Sequence, residues 1–391
     1  MPVRLLVATW GSPLTWRRAR YTGVPPLNCP EGQTFTDLPC YRGVVDRVVV
    51  IALDSAAAAA APRALVNEDA LNCAREAGLS VRERGGDVEI FPAAEDYREW
   101  RRAVVNYVKC VAEASGGGEV DVVVAPAVGR LGMCRHVLRD PRAFLSISLA
   151  ELYALLGGEA PSEIYLDTTH GVNYATTLAY ELVHMLASLA VARGAAEAKV
   201  QTFNAVEAAG GEYEVARVYQ ANVRRIDLAA ARATGGASGK VLRALALAAP
   251  LAVYYACREA EPPKAEEVVE RFVQGVKIRA AEECAVEKPA VEPPEVVYGM
   301  LLAWEVCKAG WSNVVTEMRG DYFRKLSPLY ETLVNEELAA LNKLLTKRPA
   351  YCAPYYAFKN VGPEKWKRQR GCKGGKSPSA TYGTSPRTPA S

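Results

Sequence analysis

Apolar residues fall into short, nearly unbroken runs over the first 220 positions of the chain. Val3 to Thr9, Val44 to Leu53, Val120 to Ala125 and Ile164 to Leu166 read this way, as strands buried on both faces do. Between them the apolar period lengthens. Tyr97 to Ala114, Ser148 to Leu156 and Tyr174 to about Arg193 are predicted helices, with Gly116-Gly117-Gly118 and Gly194 as stops. Val88 to Phe91 predicts a short strand, and Lys199 to Asn204 and Tyr213 to Tyr219 two closing strands. The alanine tract Ala56 to Ala61 and the segment from Pro62 to Ala77 favour helix, ending at Gly78, while Asn28 to Tyr41 reads as loop. Strands alternating with helices predict one doubly wound, mostly parallel α/β domain over residues 1–225.

The second half loses the strand pattern. Residues 226–240 contain Thr234-Gly235-Gly236-Ala237-Ser238-Gly239 and read as a linker. Val241 to Glu259, Ala265 to Ala285, Glu295 to Ala309 and Asp321 to Leu345 are predicted helices, separated by Pro262-Pro263 and Pro289 to Pro294. An all-α domain is therefore expected over 241–358. From 359 to 391 the chain turns Gly/Ser/Pro/Lys-rich and predicts a basic disordered tail.

Composition adjusts this picture in three places. Half of the 391 residues are hydrophobic and the net charge is +3. The tail holds about +7 of it, which leaves the rest near −4, so contact with nucleic acid must rest on a local patch. Met1 to Ala8 is too short for a signal peptide, and Ala175 to Ala192 carries Glu181 and His184, so a cytoplasmic protein without a membrane span is expected. Ten cysteines without a C-x-x-C pair predict buried thiols and no metal site, with disulfides expected only in a hyperthermophile protein.

Candidate chemistry gathers at strand ends. Ile164 to Tyr174 reads I-Y-L-D-T-T-H-G-V-N-Y: an apolar strand ends on Asp167, and Thr168, Thr169, His170 and Gly171 lead into a helix near Asn173. Ligands of doubly wound sheets sit beyond such carboxyl ends, and hydroxyls, an imidazole and free helix N–H groups suit phosphate or ribose oxygens. Trp10-Gly11-Ser12-Pro13 turns after the first strand. Pro126-Ala127-Val128-Gly129-Arg130-Leu131-Gly132 turns after the strand ending at Ala125. There Gly129 permits close backbone approach, and Arg130 can stack on a base or pair with a phosphate.

Three of these stretches resemble one family. Asp167, Thr169, His170 and Gly171 spell D-x-T-H-G, W-G-x-P-x-x-W opens the chain, and a P-x-V-G-R-[FL] turn recurs at 126–131; Asp54-Ser55 stands where the family commonly has Asp-Thr. The chain is thereby identified as similar to the CRISPR-associated DxTHG-motif proteins, accessory proteins of type III CRISPR systems. The resemblance implies a Rossmann-like CARF domain followed by an α-helical HEPN ribonuclease domain. It implies a homodimer or higher even oligomer that binds cyclic tetra- or hexa-adenylate, as an activating ligand and not a cofactor, across a two-fold cleft. The ligand contacts it suggests are Trp10, Gly11, Ser12, Gly129, Arg130, Leu131, Asp167, Thr168, Thr169, His170, Gly171 and Asn173, with Arg130 and Trp10 as planes for adenine.

One part of the pattern is missing. The family's metal-independent cleavage of single-stranded RNA uses R-x(4–6)-H, with histidine for acid–base chemistry and arginine for phosphate charge. The only histidines are His136, His170 and His184, all in the first domain. No catalytic residue can be assigned, and the tail is either unrelated sequence after a lost motif or a natural basic tail. His170 is a base in one reading and a structural or ligand-contact residue in the other, which the resemblance favours. His184 reads as core, and His136 has no evident partner. A ring nuclease acting in the CARF cleft and a non-catalytic regulator remain as alternative functions.

Overall fold

The computed structural model describes residues 3–339, apart from 133, 209–210, 281–283, 309–319, 328–329, 333 and 337–338. The expected basic tail and the end of the helix expected over 321–345 lie outside the described residues. The chain divides into Met1–Glu331 and Thr332–Ser391, and the following concerns the first of these units.

In chain order its strands are β1 (Val3–Trp10), β2 (Ala19–Gly23), β3 (Gln33–Thr34), β4 (Arg47–Leu53), β5 (Ala59–Pro62), β6 (Leu79–Arg84), β7 (Asp87–Pro92), β8 (Asp121–Ala125), β9 (Gly129–Leu131), β10 (Cys134–Val137), β11 (Pro161–Asp167), β12 (Ala198–Glu207), β13 (Glu212–Val223), β14 (Lys277–Ala280) and β15 (Cys284–Glu287). Its helices are α1 (Glu68–Glu76), α2 (Tyr97–Ala114), α3 (Ala143–Leu156), α4 (Asn173–Arg193), α5 (Gly236–Ala246), α6 (Pro250–Cys257), α7 (Ala265–Gly275) and α8 (Pro294–Lys308).

The main sheet has eight strands in the order β3-β2-β13-β12-β11-β1-β4-β8. β11, β1, β4 and β8 are parallel neighbours, with Ala8 of β1 facing Asp167 of β11 and Val50 of β4. The chain steps from β1 outward to β4 and β8, then returns to β11 on the other side of β1. Right-handed crossovers then place α2 on one face and α3 and α4 on the other. The reversal falls between β1 and β11, and a doubly wound sheet opens its crevice at such a switch point. The expected α/β fold is thus present, with a mostly parallel sheet.

Local signals explain the helix starts. Asn67 accepts from the backbone N–H groups of Asp69 (2.9 Å) and Ala70 (3.3 Å) at α1, and Asp96 accepts from that of Arg98 (2.9 Å) at α2. α4 is long and apolar enough to cross a membrane by length and composition. It packs instead against β11, β12, α3 and α8, with Leu182, Val183, Leu186 and Leu189 buried, each worth about 1.5–3 kcal/mol. At the sheet edge, Arg101 donates to the Val124 carbonyl (3.0 Å) and Glu151 accepts from the Val124 N–H (3.2 Å). This half-buried Arg101–Glu151 ion pair occupies edge groups that would otherwise template another strand.

Four expectations are corrected. The alanine tract is not helical: Ala59 to Pro62 pairs with β7, and Ala56, Ala57 and Ala58 are buried. A Cβ on Gly132 would stand 1.9 Å from the Ala58 carbonyl oxygen, so close backbone approach here outweighs alanine's helix propensity. The helix expected over Ala265 to Ala285 stops at Gly275, and β14 and β15 follow, β15 pairing in parallel with β10. α5 begins at Gly236, inside the stretch read as linker, and the helix expected over Val241 to Glu259 is two helices, α5 and α6. Lastly, the eight cysteines among the described residues are not free thiols. Cys29–Cys40, Cys73–Cys110, Cys134–Cys284 and Cys257–Cys307 are disulfides, bonds that persist in oxidising compartments and in proteins of hyperthermophiles.

Candidate functional site

The two strands that flank the switch point each end in a glycine-bearing turn. The Gly11 N–H donates to the His170 carbonyl at 2.8 Å, and the Thr9 hydroxyl donates to the Asp167 carbonyl at 3.3 Å. The turns after β1 and β11 are thereby one unit. Gly171 cannot be another residue without displacing them, because a Cβ there would lie 2.2 Å from Thr176 Cγ2 and 2.4 Å from Thr9 Oγ1. The turn after β8 joins through its own bond: the Val128 N–H donates to the Tyr174 hydroxyl, in the first turn of α4, at 3.3 Å. Three separate stretches of sequence meet at the carboxyl ends of the parallel strands.

Within this crevice the residues divide into those that build and those that face outward. Asp167 is fully buried; its Oδ1 accepts from the Thr169 N–H (3.0 Å) and the Thr169 hydroxyl (2.7 Å). The Thr168 hydroxyl donates to the Phe203 carbonyl at 3.0 Å. Both threonine hydroxyls are therefore committed to the turn itself. The Trp10 ring is 1% exposed and meets Trp16 edge-on at 4.9 Å, so Trp10 presents no plane to the crevice. Trp16, half-buried, stacks on His170 with centroids 4.2 Å apart.

The set not spent on the turns themselves is small. Ser12 Oγ and His170 Nε2 lie just beneath the crevice wall, buried and without a hydrogen-bond partner among the described residues. Burial pushes the His170 imidazole down to about 4, so it is neutral at physiological pH. Asn173 opens α4, a 21-residue helix with no side chain capping its first turn, and that leaves N–H groups directed at the crevice. Gly129 and Arg130 are exposed and Leu131 is half-buried, with Gly129 at φ +90. Hydroxyl, backbone N–H, imidazole and guanidinium groups at these turns are of the kinds that can bind an anion, and an aromatic pair lies beside them.

Two buried polar clusters underlie these turns, and sequence reasoning missed both. Behind the β11 turn, Asp37 comes from the loop closed by Cys29–Cys40, and its Oδ2 lies 2.9 Å from Thr169 Oγ1. Behind the β8 turn, Lys288 reaches Asp54 Oδ2 (2.8 Å), the Ala127 carbonyl (2.5 Å) and His136 Nδ1 (3.2 Å). Asp54 also accepts from the Tyr97 hydroxyl (2.6 Å) and the Ala127 N–H (2.9 Å). Burial would raise the Asp54 carboxyl, but Lys288 and then His136 hold it well below the usual carboxylate range. Only Asp54 was hinted at, by its place at the end of an apolar run; Thr169 lies 132 positions from Asp37 and Lys288 234 from Asp54.

A family profile described as "CRISPR system endoribonuclease Csx1, CARF domain" matches residues 5–207, just over half of the chain. No curated protein matches.

Proposed function

The chain therefore belongs to the Csx1 CARF-domain family, and from that premise we propose that it is a cyclic-oligoadenylate sensor of a type III CRISPR system. One observation carries the reading: at the β1/β11 switch point, Ser12 Oγ and His170 Nε2 are buried polar atoms left without a partner, beside the uncapped start of α4. A ring of identical nucleotides suits a pocket doubled by a two-fold axis, each copy supplying the same turns. In this reading Ser12 and backbone N–H groups take phosphate oxygens, and Arg130 pairs with phosphate or stacks on adenine.

The signal has a route onward. Gly129–Leu131 is itself a strand of the sheet β14-β15-β10-β9, stapled by Cys134–Cys284 and held by Lys288 on the Ala127 carbonyl. Movement of the Arg130 turn is thus mechanically joined to the chain after residue 276. Because no histidine follows His184 in this sequence, we expect weak or no HEPN-type cleavage of RNA by this chain.

Calorimetric titration with cyclic tri-, tetra- and hexa-adenylate tests the sensor. Tetra- or hexa-adenylate should bind, Arg130→Ala should weaken binding roughly tenfold, and Ser12→Ala a few-fold without loss of stability, about 1–1.5 kcal/mol for one phosphate contact. Absence of binding by every ring would end the proposal. A ring nuclease is the second reading, favoured by the neutral His170 with its free Nε2. Incubation with cyclic tetra-adenylate decides it, since linear products that vanish in His170→Gln are required.

A further inference from the structure

The hydroxyl of Thr169 touches three groups at once. It lies 2.7 Å from Asp167 Oδ1, 2.9 Å from Asp37 Oδ2 and 3.0 Å from the Ala205 nitrogen. A hydroxyl has one proton to give and two lone pairs to fill. The Ala205 N–H fills the first. Asp167 Oδ1, which also accepts the Thr169 backbone N–H, is the nearer of the two acid oxygens, and we assign it the hydroxyl proton. The second lone pair then faces Asp37 Oδ2, and a carboxylate there would set lone pair against lone pair. The contact closes without repulsion if Asp37 carries a proton and donates it.

The surroundings leave no other source of balance. Asp37 and Asp167 are both fully buried, and two carboxylates in such a place cannot both ionise. The groups facing Asp37 are Asp167 from β11, His170 with Nε2 3.9 Å from Asp37 Oδ1, Tyr21 from β2 and Tyr41 from its own loop. No lysine or arginine pairs with either acid among the described residues. Burial first, and then the charge of Asp167, raise Asp37 well above the ordinary carboxylate range.

We propose that Asp37 is a positioning residue of the crevice, a protonated acid that clamps the Thr169 hydroxyl onto Asp167 and so fixes the turn carrying His170 and Gly171. It does not touch ligand. Its proton sets the shape in which the turn's outward groups converge, and removing that proton places two negative charges behind the site. Ring binding therefore carries a pH dependence whose origin lies beneath the pocket. The dependence on binding rests on the sensor reading, whereas the protonation of Asp37 does not.

The test compares wild type with Asp37→Asn and Asp37→Ala. Asparagine keeps the shape and supplies an N–H in place of the acid O–H. Titrations with cyclic tetra- and hexa-adenylate between pH 5 and 9 should show wild-type affinity falling as pH rises through the titration of Asp37. Asp37→Asn should bind within about twofold of the wild-type acid-side value with that fall abolished, and Asp37→Ala should lose roughly tenfold at every pH. Infrared difference spectra of ligand-free protein should show a protonated-carboxyl band that Asp37→Asn lacks. If no ring binds, the sensor reading fails while the infrared band still decides the acid pair. A missing band in wild type, or an Asp37→Asn variant with the wild-type pH profile, overturns the proposal; should the variant not fold, the wild-type band alone decides.

Discussion

Asp54 and Asp37 are both aspartates with no solvent exposure, each set beneath a turn at the carboxyl edge of one sheet, yet they hold opposite charge states. Asp54 faces the Lys288 ammonium at 2.8 Å and is ionised. Asp37 faces Asp167 and a threonine hydroxyl and is neutral. Burial raises both carboxyl groups alike, so depth is not what distinguishes them. A single buried cation reverses the outcome, and that cation comes from a hairpin more than 230 positions along the chain.

The largest way to break this contrast is to remove the cation. Lys288→Met leaves Asp54 buried without its counter-charge, and chemical denaturation should show a loss of about 3–5 kcal/mol. Adding Asp54→Asn should recover part of it, since the unpaired charge is then gone.

Acidity separates the regions by sign. The raised Asp37 contributes stability that is full below about pH 4 and is lost as pH rises through its folded value, whereas the depressed Asp54 contributes stability that is full above about pH 4 and is lost below it. His170, lowered to about 4 from 6.5, binds its proton more weakly when folded. Its contribution is present above pH 6.5 and lost towards pH 4, up to about 3 kcal/mol. Denaturation midpoints across this window should lose that slope in His170→Gln.

Each region also carries its own disulfide, and their loops differ. Cys134–Cys284 spans 150 residues and Cys29–Cys40 spans 11, so removing the longer link should destabilise by about 2 kcal/mol more on the chain-entropy account. Paired serine variants compared by denaturation check this. The smallest effect concerns the bridge between the acids. Thr169→Ser keeps the hydroxyl and should be nearly neutral, while Thr169→Val removes it and should lose about 1–3 kcal/mol.

Much of the site was legible because strand ends announce themselves. The unbroken apolar runs of β1, β4, β8 and β11 stop at Ser12, Asp54, Pro126 and Asp167, and the turns that follow hold the glycines and polar side chains that the structure brings together. What those turns present was less legible. Thr168 and Thr169 look like ligand hydroxyls but are spent on Phe203, Asp167 and Asp37, and Trp10 is core while Trp16 stacks on His170. Nothing in the loop Asn28 to Tyr41 marks Asp37, since its partner is 130 positions away and follows no period.

By itself, then, the sequence determined the alternation of strands and helices, the parallel sheet and the turns at its carboxyl edge, because burial on two faces and local backbone chemistry write themselves into neighbouring residues. Tertiary structure alone decided that Ala59–Pro62 is a strand, that β15 extends a sheet begun at β9, and which buried acid keeps its proton. Those outcomes depend on groups that meet only after the chain has folded, and pairing at such separations leaves no periodic trace to read.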